Sequence, residues 1–258
     1  PAGCMAELLA EEGYPLPQTV GLETDILPVQ LYRQVRSLYP SARFPDAGNA
    51  VRRCRMVKSA WEIENVARAG EMYARMIREV PAILKPGITE LDLAGQVELT
   101  LRRQGHQGLI RTRGFNQEIF YGHVLSGPEG LRPSYIDSPT GGLGTGAAFG
   151  QGASSKQLRA GEPISIDYCG CYDGYIADQT RMFSLGRPDD EVLRAYEAMC
   201  RIQEGIREKV RPGVTGSTVY GWALEAAERL GYGDRFMGLG KSRAAYVGHG
   251  VGLELDEF

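Results

Sequence analysis

The sequence predicts an α+β fold built from two related halves that face each other across a cleft. Residues 85–105 align without a gap with residues 211–231, and six of the 21 positions are identical. Each copy follows a long helical segment, and a two-stranded hairpin lies between the copies. A period of 126 residues is too long for a solenoid. The repeat therefore indicates a duplicated α+β half, with chance similarity of two helix starts as the alternative.

Each copy of the repeat has the signals of one capped helix. A Pro-Gly breaker precedes a threonine N-cap, Thr89 or Thr215, and a glycine follows the amphipathic stretch. The preceding helices are predicted at 59–84 and 189–210. Ser59 and Glu62 form a capping box at the start of the first. Its predicted buried stripe is Ile63, Val66, Ala67, Gly70, Tyr73, Ala74 and Ile77.

The first 50 residues predict short elements. A strand is expected at 20–25, a helix at 27–40 and a linker at 42–51. A domain of about 50 residues would be marginally stable by itself. We therefore interpret residues 1–50 as the end of a domain whose beginning is absent, and residues 51–258 as the main domain.

Strand-like segments lie between the two helix pairs, at 108–114, 118–127 and 164–183. The tract 138–156 is rich in Gly, Ala and Ser. It has no GK[ST] and no βαβ context, so we predict a flexible loop beside the cleft instead of a phosphate-binding loop.

The hairpin at 164–183 carries two aspartates within apolar runs. Asp173-Gly174 indicates a two-residue type I′ turn. That turn would place Asp167 opposite Thr180, with Asp178 as the diagonal neighbour on the same face. A four-residue turn would place the two aspartates directly opposite each other.

Two carboxylates on one buried face repel unless a shared proton, a cation or a basic side chain lies between them. Arg181 is three residues beyond Asp178 and points to the other face. A metal ion is therefore the simplest explanation, with hard oxygen ligands suited to Mn, Mg or Ca. The alternative is that Asp167 or Asp178 is a hydrated turn or edge-strand residue.

Three histidines and two close cysteines are the other candidate donors. His106 lies in a polar turn and is expected to be exposed, while His123 is either a satisfied strand residue or lines a cleft. His249 lies between two glycines and is expected to be accessible as a ligand. Cys169 and Cys171 could bind a soft metal, although small apolar strand residues are the simpler interpretation.

Composition excludes several functional classes. The net charge of −3 and pI of 5.8 indicate no nucleic-acid or anionic-membrane partner. No apolar run reaches the roughly 18 residues of a membrane span, and the start lacks the pattern of a signal peptide. Five cysteines without a CxxC favour the reducing cytoplasm.

Two motifs together resemble metallopeptidase family M24, which includes proline dipeptidases, Xaa-Pro aminopeptidases and creatinases. Residues 167–181 resemble the family's Asp-x10-Asp-x-Thr-Arg hairpin, and residues 248–257 resemble its Gly-His-Gly-x-Gly segment. The resemblance runs from about Arg55 to the end. It implies a two-fold pseudo-symmetric "pita-bread" fold, truncated at the C-terminus, and a creatinase-type origin for residues 1–50.

The resemblance also implies a site with two divalent metal ions, Mn, Co, Zn or Fe. Asp167, Asp178 and His249 match three of the five usual protein ligands. The other two, both glutamates, are expected beyond Phe258, so the sequence is expected to be a fragment with an incomplete site. In this family the ions activate a water and polarise the scissile carbonyl.

The chain departs from the family pattern at two positions. Peptidases usually carry a second histidine seven residues after the ligand histidine, where this chain has Asp256, and another near Ser134. We expect Asp256 to be catalytic and Ser134 and His123 to bind substrate. The main hypothesis is a hydrolase of a short Xaa-Pro peptide or related amide. The alternatives are a hydrolase or lyase of a small cationic or zwitterionic metabolite, and a silent binding module. By resemblance, a homodimer is expected.

Overall fold

The computed structural model describes residues 4–114, 121–134, 138 and 140–257. The helices are α1 (Cys4–Glu11), α2 (Val29–Leu38), α3 (Gly48–Met56), α4 (Ala60–Ile83), α5 (Glu90–Arg103), α6 (Asp190–Lys209) and α7 (Gly216–Arg229). The strands are β1 (Gly122–Ser126), β2 (Ile164–Tyr172) and β3 (Tyr175–Phe183). Short 3₁₀ helices occupy Gly127–Leu131, Gly233–Arg235 and Gly240–Ser242.

The three strands form one antiparallel sheet in the order β1-β2-β3. Helices α4 and α5 cover one of its faces and supply most of the main core, which includes Tyr73, Met76, Leu93, Val97, Ile164, Ile166 and Tyr168. The hydroxyl of Tyr73 donates a 3.0 Å hydrogen bond to the Ile166 carbonyl. A Cβ on Gly170 would overlap the carbonyl oxygen of Ala69. Only glycine therefore allows α4 to approach β2 this closely.

Helix α4 begins as predicted, with the complete capping box of Ser59 and Glu62, and ends before Lys85. The predicted buried stripe is confirmed in part: Tyr73 is buried, four members are half-buried, and two are exposed, namely Ile63 and Ala67. The buried residues are Asn65, Ala69, Met72, Tyr73, Met76 and Val80, and Ile63 is 58% exposed. Ala69 and Gly170 are small residues that bring α4 close to β2. A pattern of large apolar residues does not indicate a contact of this kind.

The internal repeat corresponds to two helix pairs. Helices α5 and α7 both have 14 residues, and Thr89 and Thr215 accept the predicted N-cap hydrogen bonds from Asp92 and Thr218. The α4–α5 pair packs on the sheet. The α6–α7 pair builds a separate core from Ile202, Ala223, Ala227 and Phe236.

Several predicted elements differ in the structure. Residues 20–25 contribute only an isolated bridge, Leu22 with Asp46. The predicted linker, 42–51, contains the start of α3, which begins at Gly48 and continues past residue 51. Residues 108–114 form no strand, and the Arg111 carbonyl accepts a hydrogen bond from the Leu255 N–H. Of 118–127, the strand covers 122–126, and residues 118–120 lie outside the described residues.

The Gly-rich tract is a loop, as predicted, and backbone hydrogen bonds close its base. The Gly152 N–H donates to the Gly141 carbonyl at 2.7 Å, and the Gly144 N–H donates to the Gly152 carbonyl at 3.0 Å. Among the described helices, none combines the length and apolar character needed to cross a bilayer.

Candidate metal centre

The β2–β3 hairpin closes with the predicted two-residue turn. Asp173 and Gly174 have φ angles of 48° and 82°, the left-handed values that a type I′ turn requires. The resulting register pairs Asp167 with Thr180 and Cys169 with Asp178. The turn prediction is therefore confirmed, together with the diagonal relation of the two aspartates.

Alternation along the strands places both aspartates on the sheet face that does not pack on α4. Ile166 and Tyr168 point into the main core, so Asp167 and Cys169 point away from it. Arg181 is on the core side, with its guanidinium 5.9 Å from the centre of the Tyr73 ring, as predicted. The side chains of Asp167 and Asp178 remain 31% and 26% exposed. Both carboxylates are therefore accessible to a ligand from the open face.

Two neighbours orient the carboxylate of Asp167. The Thr180 hydroxyl donates a 2.8 Å hydrogen bond to Oδ1. His123 lies directly opposite Asp167 on β1, and its Nε2 is 3.4 Å from Oδ2. The His123 side chain is only 8% exposed and also lies 3.5 Å from the Thr140 hydroxyl. His123 was predicted from the sequence to bind substrate, and only the β1–β2 pairing places it beside Asp167.

Asp178 has a comparable pair of neighbours. His249 Nε2 lies 3.4 Å from Oδ2, and the Cys169 thiol donates a 3.6 Å hydrogen bond to Oδ1. The hydrogen bond to Asp178 raises the pKa of His249 to about 9, although burial acts in the opposite direction. Burial raises the pKa of the Cys169 thiol well above its usual value, and nearby Asp178 adds to this effect. The thiol is thus protonated at neutral pH when no cation is bound.

The donor spacing suits a divalent cation. Two nitrogen and oxygen donors at roughly 2.0–2.2 Å from one tetrahedral ion are about 3.4 Å apart. Both imidazole–carboxylate pairs have this separation. His249 also donates from Nδ1 to the Gly250 carbonyl at 3.0 Å, which leaves Nε2 directed at Asp178.

The nitrogen and oxygen donors lie in two pairs, His123 with Asp167 and His249 with Asp178. Within the described ranges, no three His, Cys, Asp or Glu side chains come close enough together to enclose an ion. Asp167 and Asp178 share one face of the sheet, and His249 contacts Asp178 there.

Asp256 lines a cavity, and Ser134 lies beside the Gly-rich loop. Asp256 is exposed and lines a cavity of about 420 Å³ together with Arg52, Arg55 and Arg113. Beside it, Glu254 and Glu257 form ion pairs with Arg55 that anchor the His249 segment to the end of α3. Ser134 is half-buried and packs beside Gly141 of the Gly-rich loop.

The predicted exposure of His106 is wrong. It is 2% exposed and stacks on Tyr121, with ring centres 4.5 Å apart. Its Nδ1 accepts a hydrogen bond from the Gly108 N–H, and its Nε2–H donates to the Cys169 carbonyl at 3.2 Å. Burial lowers the pKa of His106, and Arg102 adds to this effect. The polar neighbours in sequence gave no signal of this burial, because Tyr121 and Cys169 are distant from His106 in the sequence.

Comparison with known proteins identifies the family. The model of metallopeptidase family M24 matches residues 64–258, more than half of the chain. The chain belongs to metallopeptidase family M24. The model of the creatinase/prolidase N-terminal domain matches residues 3–57. The resemblance of the hairpin and the Gly-His-Gly segment to M24 proteins is thereby confirmed.

Two M24 relatives with solved structures share the fold. The X-Pro aminopeptidase from Thermotoga maritima MSB8 superposes with a TM-score of 0.77 at 27% identity, covering 100% of this chain and 63% of its own. Dipeptidase PepE from Mycobacterium ulcerans superposes with a TM-score of 0.72 at 27% identity, covering 99% and 59%. The predicted pita-bread fold is confirmed, and the chain covers part of it.

A curated M24 relative also matches most of this chain. The probable dipeptidase PepE of Mycobacterium tuberculosis is 32% identical over 212 residues, which is 82% of this chain and 48% of the relative. The chain therefore spans about half the length of the curated protein that it matches.

Proposed function

We propose that the protein to which this chain belongs is a metal-dependent hydrolase that cleaves short peptides, with Xaa-Pro peptides as the first substrate class to test. One observation carries the proposal: two aspartates share an open sheet face, and each has an imidazole nitrogen 3.4 Å from a carboxylate oxygen. Membership of M24, and the peptidase names of the relatives above, support it.

Asp167, Asp178 and His249 are the proposed metal ligands. We propose two divalent ions, Mn, Co, Zn or Fe, with two further carboxylate ligands as in other M24 members. When bound, such ions supply Lewis acidity that polarises a carbonyl group and lowers the pKa of a water molecule. The chain's own residues orient the donors: Thr180 holds Asp167, and the Gly250 carbonyl holds His249.

His123 and Ser134 are the proposed substrate-binding residues. His123 is buried beside Asp167, and the Thr140 hydroxyl limits its rotation. An imidazole there can donate to a substrate carbonyl next to the metal ligands. Ser134 lies at the edge of the Gly-rich loop, where a hydroxyl can donate or accept a hydrogen bond.

Asp256 favours a second candidate function within the same fold. We propose it as a catalytic residue or as a partner for a cationic substrate group, because its exposed carboxylate lines a cavity in which four carboxylates, with those of Asp25, Glu254 and Glu257, outnumber three arginines. A carboxylate accepts hydrogen bonds where the imidazole usual in M24 peptidases can donate them. The alternative is therefore a hydrolase or lyase of a small cationic or zwitterionic metabolite.

We also propose that residues 1–50 end an N-terminal domain and that residues 51–258 belong to the catalytic domain. A cytoplasmic location is supported by five cysteines that form no disulfide. A homodimer is proposed from the family alone. Peptide or small-molecule substrates, without nucleic acid or membrane partners, complete this proposal.

The deciding experiment is hydrolysis of Xaa-Pro dipeptides by the full-length protein loaded with Mn²⁺ or Co²⁺, with small amides and betaines assayed in parallel. Asp178→Asn should abolish both metal binding and turnover. Asp173→Asn is the matched control, because Asn tolerates the left-handed turn position and the side chain there is exposed.

The substrate panel separates the candidates. Metal-dependent cleavage of peptides supports the peptidase proposal. Turnover of a betaine or a small amide with no peptide cleavage overturns it in favour of the metabolite enzyme. Metal binding with no turnover of any compound would favour the silent binding module.

A further inference from the structure

We propose that Glu257 is a positioning residue for His249. Its carboxylate closes the loop that follows the histidine and ties that loop to Arg55 and Lys58, where α3 ends and α4 is about to begin. The inference rests on the proposed function, in which His249 is a metal ligand. It assigns Glu257 a role that acts through His249 and needs no contact with the substrate.

The backbone of Glu257 holds the carbonyl group that orients the His249 ring. Gly250 and Glu257 form an antiparallel bridge, in which the Gly250 N–H donates to the Glu257 carbonyl at 2.9 Å and the Glu257 N–H donates to the Gly250 carbonyl at 2.8 Å. The same Gly250 carbonyl accepts from His249 Nδ1 at 3.0 Å. The imidazole and the Glu257 N–H therefore share one acceptor.

The side chain of Glu257 lies inside the loop that this bridge closes. Its Oε1 accepts from the N–H groups of Leu253 and Glu254 at 2.9 and 3.2 Å, and the side chain is 6% exposed. A Cβ on Gly252 would lie 2.5 Å from Oε2, so a larger residue there would displace the carboxylate. Because two backbone N–H groups point at one carboxylate oxygen, the shape of the loop depends on that oxygen.

The closed loop is held against the strand that carries Asp178. The Ile176 N–H donates to the Gly252 carbonyl at 2.8 Å, and Ile176 lies two residues before Asp178 on β3. In this arrangement His249 Nε2 lies 3.4 Å from Asp178 Oδ2. Opening of the loop at Glu257 would therefore move the imidazole relative to Asp178.

Two cationic side chains hold the Glu257 carboxylate from outside the loop. Lys58 Nζ donates to Oε2 at 2.9 Å, and the Arg55 guanidinium donates to Oε1. Burial raises the pKa of Glu257, but the hydrogen bonds from Lys58 and Arg55 outweigh burial and bring the pKa below its usual value. The carboxylate is therefore ionised at neutral pH, and its bonds to the two cations are charge-assisted.

These anchors connect the loop of His249 to the N-terminal part of the chain. Arg55 belongs to the segment 3–57 that matches the creatinase/prolidase N-terminal domain. The loop thus has one attachment to β3, through Gly252, and another to α3, through Glu257. Both attachments are needed to preorganise a ligand carried by a loop.

Glu254 is the matched control within the same loop. It is 8% exposed, and its Oε2 pairs with Arg55 at 3.1 Å. Among the described residues, its carboxylate accepts from no backbone N–H of the loop. Glu254→Gln therefore removes a negative charge from the same place and leaves the hydrogen bonds between Glu257 and the loop.

The test compares Glu257→Gln with Glu254→Gln in the full-length protein. In metal-free protein with isotope-labelled histidine, the NMR signals of the His249 ring, assigned with His249→Gln, should shift in Glu257→Gln and stay near the parent's in Glu254→Gln. Zn²⁺ affinity, measured by competition with a chelating dye, should fall about tenfold or more in Glu257→Gln and change little in Glu254→Gln. Circular dichroism shows whether both variants are folded.

The outcomes separate the inference from the proposed function. Parent-like ring signals and Zn²⁺ affinity in Glu257→Gln overturn the positioning role and leave the proposed metal site in place. Equal losses in both variants also overturn the role, because the charge and not the closed loop would then matter. Failure of the parent to bind any divalent ion overturns the proposed metal site, and the ring signals of the metal-free protein still decide whether Glu257 holds His249.

A second variant covers a failure of Glu257→Gln to fold. Glu257→Asp keeps the charge but withdraws the carboxylate from the N–H groups of Leu253 and Glu254, because its side chain is one methylene shorter. It should shift the His249 signals and lower Zn²⁺ affinity in the same direction. Unchanged signals and affinity in folded Glu257→Asp would overturn the inference.

Discussion

Thr180 donates a hydrogen bond of 2.8 Å from its hydroxyl to Asp167 Oδ1, directly across the β2–β3 hairpin. The bond holds one oxygen of the carboxylate and leaves Oδ2 directed toward His123. Thr180 is exposed and contributes little to the core. Its main effect is therefore the orientation of a proposed metal ligand.

Thr180→Val should weaken metal binding by about 10- to 100-fold, the usual effect of losing a hydrogen bond to a ligand. Isothermal titration with Zn²⁺ and Mn²⁺ measures the change. Thr180→Ser keeps the hydroxyl and should bind almost as well as the parent. A loss in Thr180→Ser together with little change in Thr180→Val would show that the methyl group, and not the hydrogen bond, matters.

Glu90→Gln should destabilise the fold by about 3 kcal/mol, since buried donors lose a charged acceptor. The Glu90 carboxylate is 2% exposed and accepts four hydrogen bonds, two each from the backbone and hydroxyl of Ser126 and Ser154. It thereby ties the end of β1 to the end of the Gly-rich loop. The amide group of glutamine would face some of these donors with its own N–H.

Urea denaturation measures this loss, with Glu98→Gln as the control on the same helix. Glu98 accepts one hydrogen bond, from the Tyr168 hydroxyl at 3.2 Å, and burial raises its pKa. Its replacement should cost less than about 1 kcal/mol. Similar losses in the two variants would contradict the special role of Glu90.

Gly170→Ala should destabilise the protein by about 3 kcal/mol or more, because the added methyl overlaps the Ala69 carbonyl and forces α4 away from β2. Gly205→Ala is the opposite case. Gly205 lies within α6 with nothing near its Cβ position, so alanine should stabilise the helix by about 1 kcal/mol. Thermal unfolding distinguishes the two, and a tolerated Gly170→Ala would contradict the described packing.

His106 should make stability depend on pH. Burial lowers its folded-state pKa below the ordinary value of 6.5, so the unfolded chain binds the proton more readily. Its contribution is complete above pH 6.5 and is lost as the pH falls from 6.5 toward the lowered pKa, by at most about 1.4 kcal/mol per pH unit.

The measurement is the free energy of unfolding between pH 8 and pH 5 for the parent and His106→Gln. The variant should be less stable at pH 8, and the difference should shrink as the pH falls. If the free energies of unfolding of the two proteins differ by the same amount at every pH, His106 has the same pKa in the folded and unfolded states, which contradicts the prediction. The other two histidines are the same in both proteins, and their contributions therefore cancel in the difference.

Local features were predictable from the sequence. The capping box of Ser59, the threonine caps of the two repeat helices and the Asp173-Gly174 turn all formed as predicted. The turn also determined that Asp167 faces Thr180, because register in a hairpin follows from the loop length. The M24 family followed from motifs that contain these same residues.

Long-range features were not predictable. The buried side of α4 depends on the close approach of Ala69 to Gly170, and His106 is buried by Tyr121 and the Cys169 carbonyl. The two helix pairs related by the 126-residue repeat also pack differently, because α4–α5 pack on a sheet and α6–α7 form their own core.

The sequence by itself determined the fold class, the family and the hairpin that pairs Asp167 with Thr180, because turns and caps depend on residues a few positions apart. Only the tertiary structure decided that His123 lies beside Asp167 and that His249 reaches Asp178 from more than 70 residues away. It likewise decided that Cys169 has a polar partner and Cys171 an apolar one. Such pairings come from the packing of segments distant in sequence, which no local pattern encodes.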